Sequence, residues 1–255
     1  MSRVVVAFST RTLRGGADRL VLGAERARAL GFAAVHAAMP PSDAAAARPV
    51  LEANRVALTG VSTVPVEDLE SIAASIDRAA TAAAELRSRL VVVEVGGLVL
   101  PRRSTVEAAV ETLVRTVHAG LRRHPGLSLA LATPDGPGRL LGPREVEWLL
   151  SALKGELVGL WFDGAGALRI ERTEGGATAM SWADRFGSRV LGLRVHGLAG
   201  GAGHGPPEDD GPDWGTLRGL VPARAPRVLD LSPSTSAEAI EDARRYVEHV
   251  LCEGA

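Results

Sequence analysis

Residues 189–232 read RVLGLRVHGLAGGAGHGPPEDDGPDWGTLRGLVPARAPRVLDLS. An apolar run, Val190 to Val195, ends in His196, and a second run, Val228 to Leu231, encloses Asp230. Between them a Gly/Pro/Asp-rich loop carries His204, Glu208, Asp209, Asp210 and Asp213, and a helix begins near Trp214. Short apolar runs of this length, each followed by a loop and a helix, are the signature of buried parallel strands. Imidazoles and carboxylates therefore gather where strands end.

The same alternation runs back to the N-terminus. Strands are predicted at Arg3 to Phe8, Phe32 to Ala37, Val56 to Ser62, Leu90 to Val95, Leu127 to Ala132 and Leu157 to Phe162. Helices are predicted at Ala17 to Leu30, Asp43 to Asn54, Asp68 to Leu86, from Ser104 onward, at Pro143 to Leu153, weakly at Ala179 to Arg185, and at Ser236 to Leu251. Ser104 with Glu107 forms a capping box. With the pair around Trp214 this makes eight strand–helix units in 255 residues, which is what a closed (β/α)8 TIM barrel in a single domain, residues 1–255, requires. The doubly wound alternative would need a Gly-rich phosphate turn after the first strand, and Thr10 to Gly16 (TRTLRGG) lacks the G-x-G-x-x-G spacing.

A barrel places its chemistry at the carboxyl ends of the strands. Those positions read Ser9 or Thr10, His36, Ser62 or Thr63, Glu94, Ala132 or Thr133, Asp163, His196 and Asp230, so five of the eight hold His, Asp or Glu. A net charge of −1 offers no basic field for a nucleic-acid backbone. The single cysteine, Cys252, makes no internal disulfide, and the N-terminal apolar run is too short for a signal peptide or membrane span. The expectation is a cytoplasmic protein without nucleic-acid or membrane partners, its oligomeric state open. No Cys-His or G-x-S-x-G arrangement points to a nucleophilic hydrolase.

The loop HGPPEDDGPDW, His204 to Trp214, resembles the seventh-strand loop of the xylose isomerase-like TIM-barrel superfamily, whose sugar phosphate isomerases and epimerases often read H-L-P-P-G-E-G-D-I-D-W there. Around it, RVHGLAG is similar to the family's H-x-x-D strand end, WFDGAGAL to its L-D-T-G-H-A segment, and VLDLSPSTSAEAIEDARRYVEHVL to its closing L-E-L-S-P strand and helix. The resemblance implies a divalent metal (Mn, Zn, Co or Fe) at the barrel mouth, held by Asp163, His196, His204 and Asp230, acting on a small sugar or sugar phosphate. Asp209 then matches the catalytic glutamate of P-P-G-E-G.

The departures are specific. Ala132 or Thr133 stands where the family has a glutamate ligand, Gly166 replaces the histidine of L-D-T-G-H, and Ala199 replaces the aspartate of H-x-x-D. Asp230 and Asp209 are each one methylene shorter than the family's glutamate, which withdraws the carboxylate by roughly 1.5 Å. Glu94 either supplies the missing ligand, moves a proton as a second catalytic carboxylate, or pairs with Arg102 or Arg103. His36, Trp161 and Arg102 are candidates to line a sugar pocket, while the tryptophans otherwise belong to the packing of helices on the barrel. Two readings follow: a metal-dependent isomerase or epimerase, or a barrel that has lost its metal and serves as a binding or regulatory partner.

Overall fold

A computed structural model of the chain describes residues 4–13, 19–98, 106–135, 139–175, 177–198, 204–208 and 210–252. Eight parallel strands close in sequence order into a barrel: β1 (Val6–Ser9), β2 (Ala34–Ala37), β3 (Ala57–Ser62), β4 (Leu90–Val93), β5 (Ser128–Ala132), β6 (Val158–Asp163), β7 (Val190–Val195) and β8 (Arg227–Leu229). Around them run α1 (Arg19–Ala29), α2 (Ala44–Asn54), α3 (Ile72–Glu85), α4 (Val106–Arg123), α5 (Pro143–Ala152), α6 (Gly164–Glu174), α7 (Ala179–Phe186), α8 (Trp214–Leu220) and α9 (Ala237–Val247). The barrel predicted from the strand–helix alternation is present. Ser104 of the proposed capping box, and Arg102, Arg103, Ala199 and Asp209, lie outside the described residues.

Helix starts are set locally. The side chains of Asp43, Asp163, Thr178, Asp213 and Ser236 accept from backbone N–H groups of α2, α6, α7, α8 and α9, each satisfying a donor the helix leaves open. Asp213 and Trp214 of the recognised loop thus do structural work: Asp213 caps α8, and the buried indole of Trp214 donates to the Pro207 carbonyl at 3.0 Å. Helix α6 was not predicted. Its first residues, Gly-Ala-Gly, are poor helix formers, but Asp163 caps it and Gly164 lies so close to Trp214, Leu217 and Pro212 that a side chain there would be tightly crowded. Trp148, expected in the packing layer, is 38% exposed.

Two apolar regions flank the sheet. The larger fills the layer between strands and helices; the smaller is the barrel interior, built from Ala7, Ala34, Val92, Ala130, Ala132, Trp161 and Val228. A ring of mostly small residues would leave a void, and one indole fills it. Trp161 pairs in register with Ala132 on one side and Gly192 on the other, and a Cβ on Gly192 would come within 2.0 Å of the indole. This packed floor supports the polar layer above it.

Candidate active site at the barrel mouth

Alternation along each strand stacks the inward residues: Trp161 and Asp163 on β6, Gly192, Arg194 and His196 along and just beyond β7, Val228 and Asp230 along and just beyond β8. Glu94, Asp163, Arg194, His196 and Asp230 are all buried, and they converge. The guanidinium of Arg194 lies at the centre, with Nη2 2.6 Å from Glu94 Oε1, Nε 3.3 Å from Asp230 Oδ2, and Nη1 3.6 Å from Asp163 Oδ2. Arg11, after β1 and partly exposed, adds contacts of 3.4 Å to Glu94 and 3.5 Å to Asp230.

The carboxylates are held from behind as well. Asp163 accepts from His196 Nε2 at 3.1 Å while its Oδ1 also accepts the Gly166 N–H at 2.7 Å. Gly166 is compulsory here: a Cβ would sit 2.7 Å from the Pro134 carbonyl oxygen and 2.8 Å from Asp135 Cα, so the histidine that the resemblance would place there has no room. Ser62 Oγ donates to Glu94 at 2.9 Å, and His36 Nε2 lies 3.0 Å from the same hydroxyl. An ionised carboxylate only accepts, so the hydroxyl proton points to Glu94 and His36 Nε2 donates to Ser62.

Charge follows this geometry. Burial alone would raise each carboxyl, but Arg194 and Arg11 outweigh it at Glu94, His196 and Arg194 outweigh it at Asp163, and Arg11 and Arg194 pull Asp230 down to about 2. Burial would lower His196, yet the adjoining Asp163 carboxylate carries it above the ordinary imidazole value. His204 goes the other way, lowered by its burial. Three carboxylates thus face two guanidinium groups, Arg11 and Arg194, and the His196 imidazole, whose Nδ1 lies 3.0 Å from the Gly197 carbonyl and 3.2 Å from the His204 backbone nitrogen, with His36 and His204 neutral.

The expected site residues sort accordingly. Asp163, His196, His204 and Asp230 do come together: the two imidazoles stack at 4.2 Å, and His204 Nδ1 lies 3.0 Å from the Asp230 carbonyl oxygen. Several of their donor atoms, however, are turned to protein partners: His196 Nε2 to Asp163, Asp163 Oδ1 to His196 and Gly166, and Asp230 Oδ2 to Arg194 and Arg11. Among the described residues no three His, Cys, Asp or Glu side chains are arranged to hold one metal ion, and the carboxylates already share the Arg194 guanidinium, so this donor set does not fit a divalent ion. Ala132 is buried beside Trp161 and supplies no ligand. Among the described residues Glu94 pairs with Arg194 and Arg11, and a carboxylate so held is a poor proton acceptor; Arg103, like Arg102, lies outside those residues. His36 and Trp161, expected to line a sugar pocket, are instead buried at 3% and 1% exposure and stacked on each other at 4.6 Å. Arg102 and Asp209 fall outside the described residues. Arg194 was missed, hidden in what reads as an apolar run.

His36 makes a titration test. Burial lowers it from 6.5 to about 4, so the unfolded chain binds the proton more readily. Its contribution to stability is complete above pH 6.5 and is lost as pH falls toward about 4, a difference of about 3 kcal/mol. Chemical denaturation between about pH 7 and about pH 4.5 should show a stability loss smaller by about 2 kcal/mol in His36→Gln; an equal loss in both proteins contradicts the assignment.

No family model matches the chain, and no curated protein matches it in sequence. Solved structures do match in fold. An AP endonuclease, family 2, from Brucella melitensis superposes with TM-score 0.75 at 12% identity, covering 97% of this chain and 99% of that one. The IolI protein with a bound zinc atom superposes with TM-score 0.75 at 12% identity, over 97% and 98% of the two chains. D-psicose 3-epimerase from Clostridium cellulolyticum H10, solved with D-tagatose, gives 0.69 at 12% identity over 97% and 99%. The chain has the fold of the xylose isomerase-like TIM barrel proteins.

Proposed function

We propose that the barrel mouth binds a small sugar or sugar phosphate and that the protein isomerises or epimerises it with its own side chains. The observation that carries this reading is Asp230 Oδ1, a buried carboxylate oxygen with no hydrogen-bond partner among the described residues. Such an acceptor is costly unless something donates to it, and a sugar hydroxyl is a neutral donor that adds no charge to the buried layer. Beside Asp230 stand the two groups of the layer that reach solvent, Arg11 and His204, with side chains 31% and 25% exposed. His204 Nδ1 gives its proton to the Asp230 carbonyl, which leaves Nε2 with a lone pair; a neutral imidazole there removes a proton next to a sugar carbonyl. The electron pair of that C–H bond moves onto the carbonyl oxygen, and the Arg11 guanidinium holds the resulting enediolate oxygen, or a phosphate. The sugar-binding epimerase among the structural neighbours supports the ligand class through fold alone.

A second reading, a barrel that binds a sugar without transforming it, is favoured by the close protein pairing of the three carboxylates. Ketohexoses and their phosphates, incubated with the protein in deuterium oxide and followed by proton NMR, separate the two. The expected result is exchange of the hydrogen adjacent to the carbonyl, lost in Asp230→Asn and in His204→Gln. Saturable binding without exchange selects the second reading, and no binding of any sugar refutes both.

A further inference from the structure

We propose that the Arg194 guanidinium is the resident cation of the barrel mouth, standing in the place a divalent ion would need and making the carboxylate ring complete without metal. The inference does not depend on which molecule the mouth binds. Glu94, Asp163 and Asp230 arrive from the ends of β4, β6 and β8, and each faces a different guanidinium nitrogen, Nη2, Nη1 and Nε respectively. A planar fork with N–H groups on three sides can hydrogen-bond Glu94 while lying within ion-pair distance of Asp230 and Asp163. A metal ion asks for the opposite arrangement, with every oxygen turned toward one point about 2.0–2.6 Å away.

Nor can the two cations share the volume. Arg194 is 5% exposed at the end of a buried strand, with no solvent in which to spread its charge. Two of the three carboxylate charges are already balanced by the Arg194 and Arg11 guanidinium groups, so a divalent ion added to this layer would leave an uncompensated positive charge in it. Two of the imidazole nitrogens are engaged too: His196 Nε2 with Asp163, and His204 Nδ1 with the Asp230 carbonyl. The departures from the family pattern fit one substitution of cation for cation: a guanidinium is broader than a metal ion, Asp230 is a methylene shorter than the usual glutamate, and Ala132 contributes no carboxylate at all.

The test is a titration of the chelator-treated full chain with Mn2+, reading free Mn2+ by electron paramagnetic resonance and stability by thermal melting. The wild type is expected to take up no Mn2+ that Asp230→Asn removes, and its melting temperature should not move. One tightly bound equivalent in the wild type, abolished by Asp230→Asn, overturns the proposal. Arg194→Ala, which frees the carboxylates, should gain about one equivalent and be stabilised by it, because an ion bound only by the folded state favours that state. A folded Arg194→Ala that stays free of Mn2+ also overturns it. Arg194→Gln, which keeps a donor for Glu94 without the charge, serves if the alanine variant does not fold and should gain Mn2+ likewise. The wild-type result decides whichever variant folds.

Discussion

Arg194→Met is expected to cost about 3–5 kcal/mol of folding stability near neutral pH, the range for stripping one partner from a buried ion cluster. Methionine fills similar length, so packing changes little and the loss is electrostatic. Glu94, Asp163 and Asp230 would remain in a buried layer in which, among the described residues, Arg11 is the remaining guanidinium and His196 stays paired with Asp163. Like charges at such separations raise one another's affinity for protons. Protonation would then favour the folded variant as pH falls, whereas the wild-type carboxyls, held below their ordinary values by Arg194, gain nothing. The stability gap between variant and wild type should therefore narrow from about pH 7 to about pH 5. Urea denaturation at both values measures it, and a gap that stays constant or widens speaks against the cluster.

Trp161→Ala should be comparably damaging, by about 3–5 kcal/mol. The indole is 1% exposed and is by far the largest side chain of the barrel interior. Its neighbours there are largely alanines fixed to strand backbone, which cannot move inward to close the space, so most of the cavity would persist. Gly192 provides an internal control: a Cβ at that position meets the indole at 2.0 Å. Gly192→Ala should therefore destabilise the wild type but cost little in Trp161→Ala, giving strong non-additivity in a double-mutant cycle. Additive effects would mean that the two residues do not share the space.

The fold was legible because barrel strands carry a local signal: a short apolar run ending at a loop, repeated at a helix-sized interval. The polar strand ends were legible for the same reason, and Asp163, His196 and Asp230 do meet. What sits among them was not. Arg194 interrupts a run of Val, Leu and Gly and is easily counted as a defect in it, yet it lies two residues from both Gly192 and His196 and so shares their inward face. Glu94 was matched with arginines nearby in sequence; Arg194, which pairs with it, is 100 residues away, and only the closure of the barrel brings the two together. Trp161, open in the sequence to packing or to a sugar at the mouth because it lies near a strand end, takes the packing role. Its cross-strand neighbours, Ala132 and Gly192, were the available sign that it turns inward to fill a narrow interior. Helix α6 escaped because its stability comes from the Asp163 cap and close packing on Trp214, not from the propensity of Gly-Ala-Gly.

The most direct examination of the cation at the centre of this site is a crystal structure of the wild-type protein soaked in Mn2+, with anomalous difference density calculated at the barrel mouth. The account predicts flat guanidinium density hydrogen-bonded to Glu94 and in ion-pair contact with Asp230, and no anomalous peak between them. A peak enclosed by Glu94, Asp163 and Asp230, with the Arg194 side chain turned away, would contradict it.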